Sequence, residues 1–439
     1  MSSSHLPASV TSLNVQLSEE QLAVLEQIPD MPFGGRLIFV TGRAGTGKST
    51  LLRALVATTP LNHAIVAPTG IAAINVGGQT IHSFFNFPLG PLDPETAEIP
   101  VFKKGGAKRK LIEALELLII DEISMVRADL LDAIDTSLRL NRSTDLPFGG
   151  VTVVAFGDIW QLEPVVRSGA ESEFLAHHYN SPFFFDSRVA KEVGMDVHEL
   201  RFVHRQATDQ EMLYALDQIR MGNPEQLDFF NSRVGAKIEG ARLVLTATNA
   251  RANIINSTQL MRLPSPILRY EARIDGDFGK ELPTDQHLQI KQGSQVMFVK
   301  NGKQWMNGTL GEVVNANEDE IQVKIYQGET VLVRRELWEK SRYTWNRDTS
   351  RITAEPIGSF VQFPLRLAWA VTIHKSQGLT FDRLVLDMDR PAFAHGQIYV
   401  ALSRCRRSDG LALMRPIKKS ELQVSACVLD FAKKAGLEK

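Results

Sequence analysis

The sequence predicts an α/β protein of two tandem parallel-sheet units, with a small antiparallel β-barrel inserted in the second and a shorter irregular insertion in the first. Short apolar segments bounded by turn residues recur ahead of helical patterns: RLIFV, AIVA, LELLII and VTVVAF, then RLVLTAT and RLVLDMD. Buried parallel strands in repeated βα units read this way. Their spacing is too long for one doubly wound sheet, so the sequence divides into a first unit at residues 1–198 and a second at 199–308 and 364–439. Between 309 and 363 the texture changes to short alternating stretches (LGEVV, EIQVKIY, ETVLVRREL) with no room for crossover helices, the pattern of an antiparallel barrel.

Composition narrows the function. The chain has 439 residues, 44% hydrophobic and 23% charged, which suits a globular protein and excludes a disordered or fibrous one. No apolar run approaches the roughly 18 residues of a spanning helix, and the first residues carry neither a basic nor an apolar leader. A cytoplasmic protein that works away from membranes is expected. Cys405 and Cys427 are the only cysteines, too few for a disulfide framework and without the spacing of a zinc site. A net charge of -1 gives no global basic field, so any nucleic acid must lie along a local track. The irregular stretch 86–110 ends in the basic run KKGGAKRK, which reads equally as a solvated loop and as a nucleic-acid contact.

The chemistry starts at Gly42. The run Gly42, Arg43, Ala44, Gly45, Thr46, Gly47, Lys48, Ser49, Thr50 follows a strand pattern and opens a helical one. Its glycines let the backbone wrap a phosphate chain so that successive N–H groups and the helix N-terminus face negative charge. Lys48 then reaches the β/γ-phosphates and Ser49 takes a position on Mg²⁺. Downstream, Asp121 and Glu122 end the strand LLII; Asp121 suits the metal and Glu122 the attacking water. GDIWQLEPV places Gln161 at the next strand end, where open α/β sheets bind ligands. Arg205 and Arg404 are candidates for transition-state charge, although a lone arginine is more often an ion-pair residue.

In order, LSEEQ, GRAGTGKS, APTGIAA, GGQTIHSFF, LLIIDEISM, GDIWQLEPV, VHRQ, LTATN, VKNGKQWMNGTLGEV, AWAVTIHKSQGLTFD and GQIYVALSRCR resemble the motifs of superfamily-one helicases. The stretch ADLLDAIDTSLRLNRSTDLPFGG resembles the signature of the PIF-type (petite integration frequency) family among them. Trp160 and Glu163 stand where that family usually has Phe and Pro.

The resemblance implies a minimal bacterial-like motor of two RecA-like domains with an SH3-like insertion at 309–363 and a duplex-splitting wedge at 86–110. It implies a monomer that uses ATP and Mg²⁺ to move 5′ to 3′ along single-stranded DNA and to act at junctions with duplex, with G-quadruplexes and RNA–DNA hybrids as further candidate substrates. By family position Gln21 reads adenine, and Gln161, Arg205, Gly378 and Arg404 complete the γ-phosphate end. The strand is implied to lie near Pro68, Thr69, Gly70, His82 and Phe84 in the first unit, and near Thr248, Asn249, His374, Lys375 and Ser376 in the second. These residue types hold phosphates or stack on bases without reading sequence. A RecD-like ATPase, a P-loop enzyme acting on another substrate and an ATP-bound clamp remain the alternatives. Because Lys48 faces the phosphates directly, Lys48→Ala is expected to weaken ATP binding itself, which a fluorescent-nucleotide titration measures.

Overall fold

The computed structural model describes residues 17–28, 34–93, 99–202, 209–240, 242–279, 281–326, 328–346, 348–349, 351–392 and 394–437. The first sheet is parallel throughout and contains β1 (Leu37–Gly42), β2 (His63–Ala67), β3 (Gln79–Thr80), β4 (Leu117–Ile120), β5 (Thr152–Phe156) and β6 (Asp196–Leu200). Their spatial order is β3-β2-β4-β5-β1-β6. The inner strands β1, β2, β4 and β5 are buried along almost their whole length because both faces are covered, whereas the edge strands β3 and β6 carry polar residues and are partly open. On β1, Leu37 and Phe39 enter one core while Ile38 and Val40 enter the other, the alternation a pleated strand imposes.

The order has a functional consequence. The strands β4, β5 and β1 lie side by side, so the phosphate loop, the acidic pair and the Gln161 turn emerge next to one another. Adjacent strands are about 4.8 Å apart, which brings motifs separated by tens of residues within roughly 10 Å.

Helices pack on both faces: α1 (Glu19–Gln27), α2 (Lys48–Thr58), α3 (Gly70–Val76), α4 (Ile81–Phe85), α5 (Ala107–Ala114), α6 (Ala128–Arg142), α7 (Ala170–His178) and α8 (Arg188–Val193). The stretch resembling the family signature forms α6 and the turn after it, and its acids serve backbone satisfaction. Asp129 accepts the N–H of Leu92, Asp132 those of Arg188 and Val189 at 3.0 Å each, and Asp135 that of Phe148. Asp132 thereby caps the start of α8, while Asp135 holds a turn in which Phe148 adopts a left-handed φ of 50°.

The second unit adds α9 (Gln210–Arg220), α10 (Leu227–Asn231), β7 (Leu243–Thr246) and α11 (Asn249–Arg262). An antiparallel region follows, with β8 (Leu268–Glu271), β9 (Arg273–Gly276), β10 (His287–Ile290), β11 (Gln295–Phe298), β12 (Leu310–Ala316), β13 (Ile321–Ile325), β14 (Thr330–Val333), β15 (Glu336–Asn346), β16 (Arg351–Gln362) and β17 (Leu365–Leu367). Its sheets have the orders β14-β13-β12-β11-β17, β15-β16-β9 and β10-β8. Antiparallel structure thus begins at Leu268, well before the expected residue 309, because β8 to β11 alternate too briefly to stand out in the sequence. The chain then returns to a parallel sheet with β18 (Ala370–Thr372), β19 (Leu384–Asp387) and β20 (Leu411–Leu413), in the order β18-β7-β19-β20, and ends with α12 (Gln397–Leu402) and α13 (Ala426–Lys434).

Three features were not read from the sequence. First, the described residues of 86–110 contain no strand pair. This stretch is anchored instead to α6, with Gly90, Leu92, Pro100 and Phe102 all bonded through their backbones to Arg127, Asp129 or Asn141. Second, β6 reaches Leu200 in register with Gly42, and Phe431 of α13 stacks on Phe185 at 4.4 Å, so both the linker and the end of the chain pack on the first unit. Third, the long β15–β16 hairpin leans on the first sheet. The two-residue β3 leaves part of β2 uncovered, and Tyr343 there accepts the N–H of Ile65 at 3.1 Å while Ser341 accepts from Gln79 at 2.9 Å.

Both cysteines are free thiols, and burial pushes Cys405 up to about 12. Among the described residues no helix is long and apolar enough to cross a membrane. Asp132→Ala removes the acceptor of two N–H groups and is expected to lower stability by about 1–3 kcal/mol, read as a lower urea midpoint at unchanged slope.

Candidate functional site

The phosphate loop joins β1 to α2. Gly42, Gly45 and Gly47 have φ of 151°, 91° and 85°, conformations that a side chain would strain. At Gly42 an added Cβ would also lie 2.5 Å from the Leu200 carbonyl. Thr46 closes the loop by donating to the Arg43 carbonyl, and Lys48 donates to the carbonyls of Gly42 and Arg43 at 2.7 and 3.1 Å. Its ammonium therefore lies over the loop mouth. Ser49 is exposed at the first turn of α2, Thr50 is half-buried behind it, and Ala44 is buried beneath the loop.

Asp121 and Glu122 follow β4 directly. Burial raises both carboxyls above the usual carboxylate range, and for Glu122 the neighbouring Asp121 raises it further. Lys48 opposes the shift at both residues; Arg53 adds to that at Asp121, and Arg404 at Glu122. Glu122 holds a left-handed φ of 51°, a backbone state costly for glutamate that turns its side chain toward the crevice. A half-buried pair of hard oxygen ligands short of positive charge fits a divalent cation such as Mg²⁺. No cluster of three or more His, Cys, Asp or Glu that could hold a metal ion occurs among the described residues.

An amide chain crosses the crevice. Asp158 accepts from Gln161 Nε2 at 3.1 Å, and Gln161 Oε1 accepts from Gln377 Nε2 at 3.3 Å. Gln377 Nε2 also donates to Glu122 Oε2 at 3.2 Å. The residues around α12 close the other side. His395 Nδ1 accepts from Ser425, so Nε2 carries the proton and donates to the Ile159 carbonyl at 2.9 Å. The backbone N–H of His395 points to Glu163. An added Cβ on Gly396 would lie 2.4 Å from the Trp160 carbonyl. Tyr399 accepts from the backbone of Ala44 in the phosphate loop, and burial raises its hydroxyl pKa. Arg43 pairs with Asp217 of α9 at 2.9 Å, and Arg220 lies 5.1 Å over the Trp160 ring. Trp160 and Glu163, the departures from the family pattern, thus both form interunit contacts. Sequence reading named Gln377 only as a candidate without a role and did not single out His395 or Tyr399, because their partners across the crevice are more than 200 residues away in the chain.

Several expected residues sit differently from the reading. Gln21 is buried; its amide accepts from the Ser18 N–H and donates to the Gly47 carbonyl, so it braces the phosphate loop and is not turned toward a base. Arg404 is buried with its guanidinium on the Val400 and Leu379 carbonyls and the Ser403 hydroxyl, all in its own unit. Glu122 is near enough to act on its charge. Gly378 is exposed with a left-handed φ of 77° beside Gln377. Arg205 lies outside the described residues.

The expected DNA residues fall on two pairs of neighbouring strand ends, after β2 and β3 in the first sheet and after β7 and β18 in the second. Thr69 and Thr248 are matched caps, each accepting an N–H at the start of its helix, α3 and α11. Pro68, Gly70 and His82 are half-buried, while Asn249, His374 and Lys375 are exposed. The Gly70 N–H is taken by the Glu281 carboxylate, an acid standing where a phosphate was expected. Burial lowers the His82 pKa. Phe84 and Ser376 do not face a strand. Phe84 is wholly buried against Phe85 and Tyr343 with Lys108 Nζ 4.2 Å above its ring, and burial takes Lys108 down to about 8. Ser376 is buried and donates to the Ile373 carbonyl. An apolar residue three positions after Ile81 lies on the core side of its helix, a periodicity that already disfavoured Phe84 as a stacking surface.

A PIF1-like helicase family model matches residues 16–219. The chain is 34% identical over 417 residues to the ATP-dependent DNA helicase Pif1 of Bdellovibrio bacteriovorus, covering 91% of this chain and 88% of that protein. It belongs to the PIF1-like helicase family. The human ATP-dependent DNA helicase PIF1 is also 34% identical, over 92% of this chain, and the chain spans 62% of its length. Among solved structures, Bacteroides Pif1 in complex with ADP-AlF4 matches with a TM-score of 0.88 at 38% identity, over 97% of this chain and 98% of that one. The same protein bound to single-stranded DNA matches with a TM-score of 0.68 over the same shares.

Burial lowers the His395 pKa, against the raising effects of its Ile159 bond, Glu163 and Asp158. The neutral ring is favoured on folding, so its contribution is complete above the ordinary value of about 6.5 and is lost as pH falls below it. His395→Ala is expected to destabilise by about 1–3 kcal/mol at pH 7.5 and by clearly less at pH 5.5, measured by urea unfolding at both.

Proposed function

We propose that the chain is an ATP-dependent DNA helicase that moves 5′ to 3′ on single-stranded DNA and unwinds duplex ahead of it. One observation carries the reading. Groups from the second unit, Gln377 above all, enter the crevice formed by the phosphate loop, the acidic pair and Gln161, while residues on the same turn as Gln377 face outward toward the track. A P-loop enzyme acting on a small molecule has no need of such an arrangement. The match to a Bacteroides relative solved with single-stranded DNA supports the same partner, and the family resemblance supports the polarity.

In this reading the loop N–H groups and the start of α2 cradle the ATP phosphates. Lys48 leaves the Gly42 and Arg43 carbonyls for the β/γ-phosphates. Ser49 and Asp121 hold Mg²⁺, which when bound supplies charge that neutralises the phosphate oxygens. Glu122 accepts the proton of the attacking water, and Gln161 senses the γ-phosphate through its amide. Gln21 fixes the loop from below. Arg404 leaves its own-unit acceptors to meet transition-state charge when the units close on DNA, and the family resemblance assigns Gly378 and Arg205 to the same γ-phosphate end. Thr69, Thr248, Asn249, His374 and Lys375 hold the DNA backbone; the antiparallel region is read as the SH3-like module and 86–110 as the element that meets the duplex.

The deciding experiment is unwinding in ATP and Mg²⁺ of duplexes carrying only a 5′ or only a 3′ single-stranded tail. Opening of the 5′-tailed substrate alone is expected. Efficient opening from a 3′ tail overturns the polarity, and the absence of unwinding on both overturns the motor.

A further inference from the structure

We propose that Gln377 is the positioning residue through which DNA held on the second unit sets Glu122 for water attack; this rests on the hydrolytic role proposed for Glu122. Its amide nitrogen has two hydrogens, and the structure gives it two acceptors in the other unit, Glu122 Oε2 at 3.2 Å and Gln161 Oε1 at 3.3 Å. The remainder of Gln161 is held by Asp158, so the amide row ends on a fixed carboxylate. Glu122 leaves the sheet through a left-handed backbone, and its carboxylate direction is then set by the groups that bond it. A neutral amide orients that carboxylate and leaves its negative charge in place, as a base requires. A lysine or arginine there would hold it in an ion pair.

The other end of the device is a short rigid turn. His374, Lys375 and Ser376 form one 3₁₀ turn immediately before Gln377. The turn is pinned by the Ser376 hydroxyl on the Ile373 carbonyl and by the Gln377 N–H on the His374 carbonyl. His374 and Lys375 are exposed, while Gln377 two residues later reaches into the crevice. A DNA phosphate that draws the His374–Lys375 edge toward the first unit moves the Gln377 amide with it, since no flexible segment intervenes. The bond to Glu122, 3.2 Å long in this structure, then tightens when the track is occupied, giving hydrolysis a dependence on DNA.

The test uses the full chain with Gln377→Ala and with Gln377→Glu, which keeps length and removes the donor. Steady-state ATP hydrolysis is measured with and without an oligodeoxythymidine strand, alongside binding of the same labelled strand without nucleotide. Both variants are expected to lose about 10- to 100-fold in DNA-stimulated kcat, the range for a hydrogen bond to a charged group, with KM for ATP and strand affinity within about threefold of the parent. A purely structural role moves KM, affinity and kcat together, and that result overturns the proposal. So does stimulation of either variant within about threefold of the parent. A parent that single-stranded DNA does not stimulate overturns the motor reading itself, whereas a stimulated parent with equally stimulated variants removes only the role of Gln377. If Gln377→Ala does not fold, Gln377→Glu decides alone.

Discussion

Two adjacent carboxylates at the end of a buried strand set the terms for the rest of the structure. Asp121 and Glu122 are partly removed from water, which raises both carboxyls, and the charge of Asp121 makes ionisation of Glu122 harder still. Such a pair persists only where positive charge or hydrogen-bond donors converge on it. In this chain they come from both sides of the cleft: Lys48 from the phosphate loop, Arg404 by its charge, and Gln377 by a direct bond. The charge deficit that remains suits an incoming cation and nucleotide. The crevice is therefore built as an incomplete electrostatic site, and the second unit is part of its completion.

That requirement explains why so much of the second unit's polar chemistry points back at the first. His395, Gly396 and Tyr399 lie on and just before one short helix, and they reach in turn Ile159, the Trp160 carbonyl and the phosphate loop. The close approach at Gly396 leaves no room for a side chain, so the helix is held to the Trp160 turn at backbone distance. At the far end of the chain, Phe431 stacks on Phe185 and adds an apolar hold to the same unit. The two units share one continuous apolar core, which runs from Phe39 and Ile120 to Leu245 and Val400.

The signature-like stretch on α6 shows how a family resemblance and a chemical role separate. In the structure Asp129, Asp132 and Asp135 satisfy backbone N–H groups of three other segments, and Arg139 and Arg142 satisfy carbonyls around the turn at 145–149. Buried backbone groups without partners cost free energy comparable to a lost hydrogen bond, and one long helix that supplies acceptors to several loops removes that cost at several places. Its distinctiveness follows from the loops it holds, including the segment 86–110.

The sequence by itself determined the α/β class, the two parallel units, the phosphate loop and the acidic pair, because these depend on local periodicity and on spacing along one strand–turn–helix. Thr69 and Thr248 entered the sequence reading only through the family resemblance, as DNA contacts; that each also caps a helix is seen in the structure. Tertiary structure alone decided the rest. Burial turned Phe84 and Ser376 inward, packing gave Gln21 to the loop and Arg404 to its own carbonyls, and β8 to β11 joined an antiparallel region that their short alternation did not announce. The bonds from Gln377 to Glu122 and Gln161 join residues 255 and 216 positions apart. No local propensity encodes such a pairing; it exists because two sheets with separate hydrophobic patterns meet edge to crevice, and only the packed chain fixes which polar groups face each other there.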